Sequence, residues 1–441
     1  MRDFNIRLFF RVILFFVVFY LLMQILLLCT VPFPRYTKIL MKELYNDGPY
    51  KVAIVGPSTV YRSVNPEILD PILGMRTITL GSSNQCVMDS YYTLRELYKG
   101  NPCEMVLLEI SWNRLLSANE SFSSKILLDY MKLSANKIEY FINAYPSDYR
   151  ITAIFPGIQA IAIRDFHPAK MYRTAREKLL YPDETKAFGL DEEYIGRGYV
   201  ARNAGFDDSR RLGRLETEKW DRQYVDQEAL SYYEKTIDYC RSQGSEVVLI
   251  NMPRMPYTLC GMDNYEDFSE FIIEFAQNNH VDYLDFNLAK PVLFSPESQY
   301  FYDTKHLNRE GASVFSDSLA RFLVAYQRDS FNPKDFFYNS FSEVMQSYNT
   351  VFGVWMEKDD EARDIRASAS TPPNARVEYE FSYELPSGQF EVFRPYSNNA
   401  FAGVDCLPPG EYMLRVNARL AGIGEAFQQY DIFSIQVPIA N

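Results

Sequence analysis

The chain has 441 residues, 47% hydrophobic and 23% charged, a globular composition that excludes disordered, collagen-like and coiled-coil readings. Asp and Glu outnumber Lys and Arg 57 to 45, a net charge of −12, and no basic run marks a nucleic-acid-binding face. Six cysteines with no C-x-x-C pair are too sparse for a disulfide scaffold and carry no structural zinc signature.

Residues 1–11 form a short N-terminal tail, and residues 12–34 follow as a stretch without a charge, opening VILFFVVFYLLMQILLLC. At about 1.5 Å rise per residue that stretch crosses a hydrocarbon core of roughly 30 Å. A cleaved signal peptide has a shorter apolar region and a small-x-small cleavage site. A lipoprotein needs a small residue before Cys29, where Leu27 and Leu28 stand. The span therefore reads as an uncleaved single-pass anchor. Arg2, Arg7 and Arg11 before it balance Arg35, Lys38 and Lys42 after it, so the positive-inside rule leaves orientation open.

From Lys51 the pattern is α/β. Short apolar runs at 51–56, 76–81, 105–111, 246–253 and 281–287 suit strands of a buried parallel sheet. Helical patterns at 226–244, 264–279 and 308–326 alternate with the later runs, which predicts a doubly wound, mostly parallel sheet. Residues 115–225 break that rhythm, with helical patches at 124–143 and 168–180 and a polar, Gly- and charge-rich stretch at 182–221. They read as a long insertion within an α/β domain spanning 50–328. Beyond about 335 the period becomes two, as in Val377, Tyr379, Phe381 and Tyr383, with turns at 385–388 and 407–410. Residues 350–441 are expected to form a β-sandwich domain.

Two pieces carry chemistry. Gly56-Pro57-Ser58-Thr59 ends the first predicted strand, and a serine on such a turn projects its hydroxyl at the carboxyl edge of the sheet. Asp303-Thr304-Lys305-His306 precedes the last helix. Serine is a poor nucleophile until a histidine removes its proton, and the histidine needs a carboxylate to fix its tautomer. Each piece alone has a bland reading, a helix-capping serine and a capping Asp beside a surface His. The chain has two other histidines, His167 and His280, and neither has a patterned carboxylate partner. Cys86 and Cys103 are candidates for pairing outside the cell, which spacing cannot decide. No His and carboxylate cluster stands at metal-ligand spacing. The abundant aromatic residues read chiefly as core.

Together these pieces resemble the SGNH/GDSL hydrolase superfamily. Ser58 matches its nucleophile, with Pro57 where the family usually has Asp or Ser. Gly81 in TLGSSN matches the glycine whose N–H helps hold an oxyanion. Asn113 in Ser111-Trp112-Asn113-Arg114 falls at the asparagine of the usual G-x-N-D, with Ser111 for Gly and Arg114 for Asp. Asp303 and His306 match the orienting acid and the base. The resemblance covers roughly residues 50–328 and implies a doubly wound sheet of the flavodoxin-like SGNH type. The anchor, the insertion and VYRSVNPEIL after the serine are similar to membrane-anchored proteins related to D-alanyl-lipoteichoic acid transfer and alginate O-acetyl transfer.

The resemblance implies a Ser58–His306–Asp303 triad, an oxyanion hole from the Ser58 and Gly81 N–H groups and the Asn113 side chain, and no cofactor or metal. It implies a serine ester hydrolase or O-acyltransferase outside the cytoplasm, acting on acyl groups of a cell-envelope glycan or other acylated polymer. The N-terminal helix would hold it in the membrane, beside a membrane-bound O-acyltransferase as partner. The long insertion, which could roof the cleft, tilts the reading toward transfer. The alternative from another class is a catalytically inactive, envelope glycan-binding protein.

Overall fold

The computed structural model describes residues 6–30, 36–147, 150, 154, 167–186, 191–206, 218–328, 330–358, 364–404, 406–424 and 426–437. The first helix, α1 (Ile6–Thr30), begins earlier than the uncharged stretch and takes in Arg7 and Arg11. Residues 31–34 lie outside the described residues. From Arg7 to Thr30 α1 has mean hydropathy 2.9 in its most apolar window and buries none of that window in the protein. It is long and apolar enough to cross a membrane. In contrast α2 (Tyr36–Asn46) buries Thr37, Leu40, Met41 and Leu44, an i, i+3, i+4, i+7 stripe turned into the core.

The strands that follow are β1 (Val52–Gly56), β2 (Thr77–Gly81), β3 (Met105–Glu109), β4 (Glu192–Gly196), β5 (Tyr199–Arg202), β6 (Glu218–Lys219), β7 (Glu246–Asn251), β8 (Met262–Asp263) and β9 (Asp282–Asp285). Five of them form a parallel sheet in the order β2-β1-β3-β7-β9. Every residue of β1, β2 and β3 is buried. Ala53, Val55, Ile78, Leu80, Val106 and Leu108 enter one core. Val52, Ile54, Met105 and Leu107 enter another on the opposite face. Period-two side chains on a sheet covered on both sides account for the continuous apolar runs.

The insertion is more structured than its composition suggests. The 124–143 patch is two helices, Ser121–Leu128 and Ala135–Ala144. Ser134 caps the second, its hydroxyl accepting from the Lys137 N–H at 3.3 Å, and a new N-cap is where one helix cannot continue. The polar stretch at 182–221 contains the hairpin β4–β5. Its turn docks on β2, the Thr79 N–H donating to the Arg197 carbonyl at 2.8 Å. Gly198 sits there at φ 90°, and a Cβ on it would stand 1.7 Å from the Thr79 carbonyl oxygen. Only glycine fits that turn.

The chain then packs Phe331, Phe336 and Phe337 around Phe322 and sets Phe341 against Tyr265, ring centroids 4.5 Å apart. Thus residues 331–345 belong to the α/β core, Val344 included. Beyond them lie β10 (Gly353–Lys358), β11 (Asp364–Ser370), β12 (Val377–Glu384), β13 (Phe390–Ser397), β14 (Phe401–Gly403), β15 (Gly410–Leu420) and β16 (Gln429–Val437). They make a three-stranded sheet, β10-β11-β14, and a four-stranded sheet, β13-β12-β15-β16, both antiparallel. Val354, Ile365, Phe381, Leu414 and Val416 fill the space between them, a β-sandwich arrangement. The alternation in β12 breaks at Ser382, buried beside Phe381 where the register against β13 shifts. The six cysteines, all among the described residues, form no disulfide with one another, Cys86 and Cys103 included.

Candidate active site

Gly56 and Gly81 face one another in register at the carboxyl ends of β1 and β2. The reason for glycine there is space. A Cβ on Gly56 would stand 2.6 Å from the Cβ of Glu109, and one on Gly81 2.9 Å from the Cβ of Tyr61. The chain turns at Pro57, in extended conformation, directly into α3 (Ser58–Ser63). Pro57 has no side chain able to cap, so no side-chain cap occupies the first-turn N–H groups around Ser58.

Asp303 and His306 arrive from a tight loop ahead of the helix Arg309–Tyr326. Phe301 and Leu307 bridge antiparallel, and the Tyr302 N–H donates to the His306 carbonyl at 3.1 Å. Asn308 caps the following helix through the Gly311 N–H at 2.9 Å while its amide donates to the Gln299 and Phe301 carbonyls. Gly311 is obligatory there, since a Cβ would meet the Tyr300 carbonyl oxygen at 2.2 Å. The loop is pinned at both ends.

These constraints bring together residues 248 apart in sequence. Ser58 Oγ lies 2.8 Å from His306 Nε2. His306 Nδ1 lies 3.0 and 2.9 Å from the two Asp303 carboxylate oxygens. Asp303 Oδ1 also accepts from the N–H groups of Lys305 and His306, at 2.8 and 2.9 Å. A carboxylate on Nδ1–H leaves the Nε2 lone pair toward the serine. Burial alone would push the Asp303 carboxyl up; the His306 hydrogen bond and charge, with the two backbone donors, outweigh it and hold the group below its ordinary value.

Asn113 lies on the one-turn 3₁₀ helix Trp112–Leu115, just after β3. Gly81 thus ends β2, while Ser58 and Asn113 follow its neighbours in the sheet, β1 and β3. Arg114 donates to the Asn84 carbonyl at 3.0 Å, tying the loop after β3 to the loop after β2. Behind the serine turn Glu109 is fully buried, and burial pushes its carboxyl up. His167 begins the helix Pro168–Leu180 on the surface. His280 adopts φ 54° in the turn before β9.

Four neighbours of this group were not singled out in the sequence: Arg62, Glu192, Arg202 and Tyr302. Arg62 follows Ser58 by one helical turn and Tyr302 precedes His306 by four residues, which is the only signal they offer. Glu192 and Arg202 stand more than 100 residues from Ser58, Asp303 and His306 alike, and nothing local marks them.

No curated protein matches the chain. A family model that carries no description matches residues 172–327. Among solved structures the chain is similar to a Bacteroides fragilis protein provisionally named an acylhydrolase, at 11% identity and a TM-score of 0.31, over 65% of this chain and 94% of that one. At that distance the likeness carries no argument about activity.

Proposed function

We propose that the protein is a membrane-anchored serine ester hydrolase or O-acyltransferase that acts outside the cytoplasm on acyl groups of a cell-envelope polysaccharide. The observation that carries the reading is the 2.8 Å approach of Ser58 Oγ to His306 Nε2, with Asp303 on the far ring nitrogen. As the Ser58 oxygen attacks the acyl carbonyl carbon, Nε2 takes the hydroxyl proton and Asp303 stabilises the imidazolium. The Ser58 and Gly81 N–H groups and the Asn113 amide receive the oxyanion, each such donor worth roughly 3 kcal/mol of barrier. Collapse breaks the ester C–O bond, the imidazolium returns its proton to the leaving alkoxide, and an acyl-serine remains. A second hydroxyl, deprotonated by Nε2, attacks that ester; the acyl–Oγ bond breaks, and the imidazolium returns the proton to Ser58 Oγ.

Water or a glycan hydroxyl can be the second nucleophile, and transfer is the favoured outcome. The hairpin β4–β5 sets part of the insertion beside the site, and α1 would hold that site near a membrane surface, where a polymeric acceptor competes with water. A membrane-bound O-acyltransferase is the partner this scheme calls for.

The test is a fluorophosphonate probe on the full chain, followed by an activated acetyl ester with and without a glycan acceptor. Ser58-dependent labelling and acceptor-dependent acetyl transfer are expected. Equal release to water in both samples would leave a plain esterase, and an unlabelled wild type would overturn the serine mechanism.

A further inference from the structure

Asp303 fixes the tautomer of His306, but bonds to one ring nitrogen leave the plane of the imidazole free to tilt. A second contact lies against that plane. The Tyr302 ring stacks on His306 with centroids 5.4 Å apart and planes 7° from parallel. The same ring carries the guanidinium of Arg202 at 4.4 Å and that of Arg62 at 5.6 Å. Both arginines meet one carboxylate, Glu192, at 3.2 and 2.6 Å. Arg62 and Glu192 side chains are only 6% and 9% exposed, so this ion pair is sheltered from water and salt. Arg62 belongs to the Ser58 helix, Tyr302 to the His306 loop, and Glu192 and Arg202 to the hairpin of the insertion.

We propose that Tyr302 is a positioning residue for His306, clamped by Arg202, so that the insertion hairpin completes the catalytic constellation. The proposal rests on the serine mechanism above. A cation over one aromatic ring and a second ring stacked on it suit the quadrupole of the tyrosine face. Proton transfer from Ser58 requires the Nε2 lone pair to lie along the Oγ–H direction, and a tilted imidazole loses that alignment. The requirement is for a ring at 302, not for its hydroxyl.

The test compares full-chain wild type with Y302F, Y302L and R202M, reading the rate of fluorophosphonate inactivation and the kcat and KM for an activated acetyl ester. Y302L is expected to slow inactivation and kcat about tenfold or more with KM within about twofold, as loss of alignment predicts. Y302F keeps the stack and should stay within about threefold of wild type. R202M should lie between them, and it serves in place of Y302L if that variant does not fold. Wild-type rates in Y302L or R202M would overturn the proposal, and so would a Y302F as slow as Y302L. A wild type that does not label overturns the serine mechanism and this proposal with it; a labelled wild type with an indifferent Y302L overturns this proposal alone.

Discussion

The parallel sheet and the C-terminal antiparallel sheets use their side chains differently. In β1, β2 and β3 every residue is buried, alternately in one core or the other, and nothing along the strands is left for chemistry. Reactive groups can stand only where the strands end, and that is where Ser58, Gly81 and Asn113 fall. In the C-terminal sheets one face packs inward and the other meets solvent; β13, for example, has no buried residue. Its polar faces carry ladders such as Arg419 on Glu378 at 2.9 Å, and surface pairs of that kind contribute little. Close packing on both faces of a sheet concentrates function at an edge, and one-sided packing leaves a surface.

The sharpest way to break this contrast is Ser58→Ala, which should cut probe labelling about 10³-fold or more while the melting temperature holds. Labelling that survives would place the reactive nucleophile elsewhere. Next is Asp303→Asn, expected to slow inactivation about 10²-fold or more because an amide does not hold the Nδ1–H tautomer. It also has a pH signature. The folded Asp303 carboxyl lies below its ordinary value, so its stabilising contribution is present above that ordinary value and lost as pH falls through the folded one. Acid unfolding curves of wild type and Asp303→Asn should therefore converge at low pH.

Packing offers the third comparison. Leu107, wholly buried in β3, should destabilise by about 2–5 kcal/mol on truncation to Ala. Val392 in β13 is 46% exposed, and its truncation should stay within about 0.5 kcal/mol. Urea unfolding measures both, and equal losses would deny the contrast. A chain ended at Asn349 keeps the aromatic segment 331–345 and should keep Ser58 labelling; a folded truncation without labelling would mean that the β-sheets complete the site. The smallest effect is chemical. Burial pushes the Cys103, Cys240 and Cys260 thiols up to about 12, so iodoacetamide at neutral pH should modify exposed Cys406 before any of them. Mass spectrometry of the native protein reads the order.

The α/β class, the parallel strands and the antiparallel C-terminal sheets were all legible as periodicity, because burial on two faces or one prints a period on the chain. Ser58, Asp303 and His306 were legible because turn chemistry and a D-x-x-H spacing are local. The split of 124–143 hung on a single capping serine, and the β4–β5 hairpin lay hidden in a polar stretch whose glycine answers to a strand it touches only in the fold. In the group formed by Arg62, Glu192, Arg202 and Tyr302, only Arg62 and Tyr302 lie near a motif in sequence, and Glu192 and Arg202 have no local signature at all. The sequence by itself determined where a serine stands after the first strand, where an Asp and a His stand ahead of a helix, and which runs become the strands of the sheet. Only the tertiary structure decided that an insertion hairpin reaches the tyrosine ring stacked on the histidine, because ion pairs and ring stacks depend on distance in space, and no period along the chain encodes that distance.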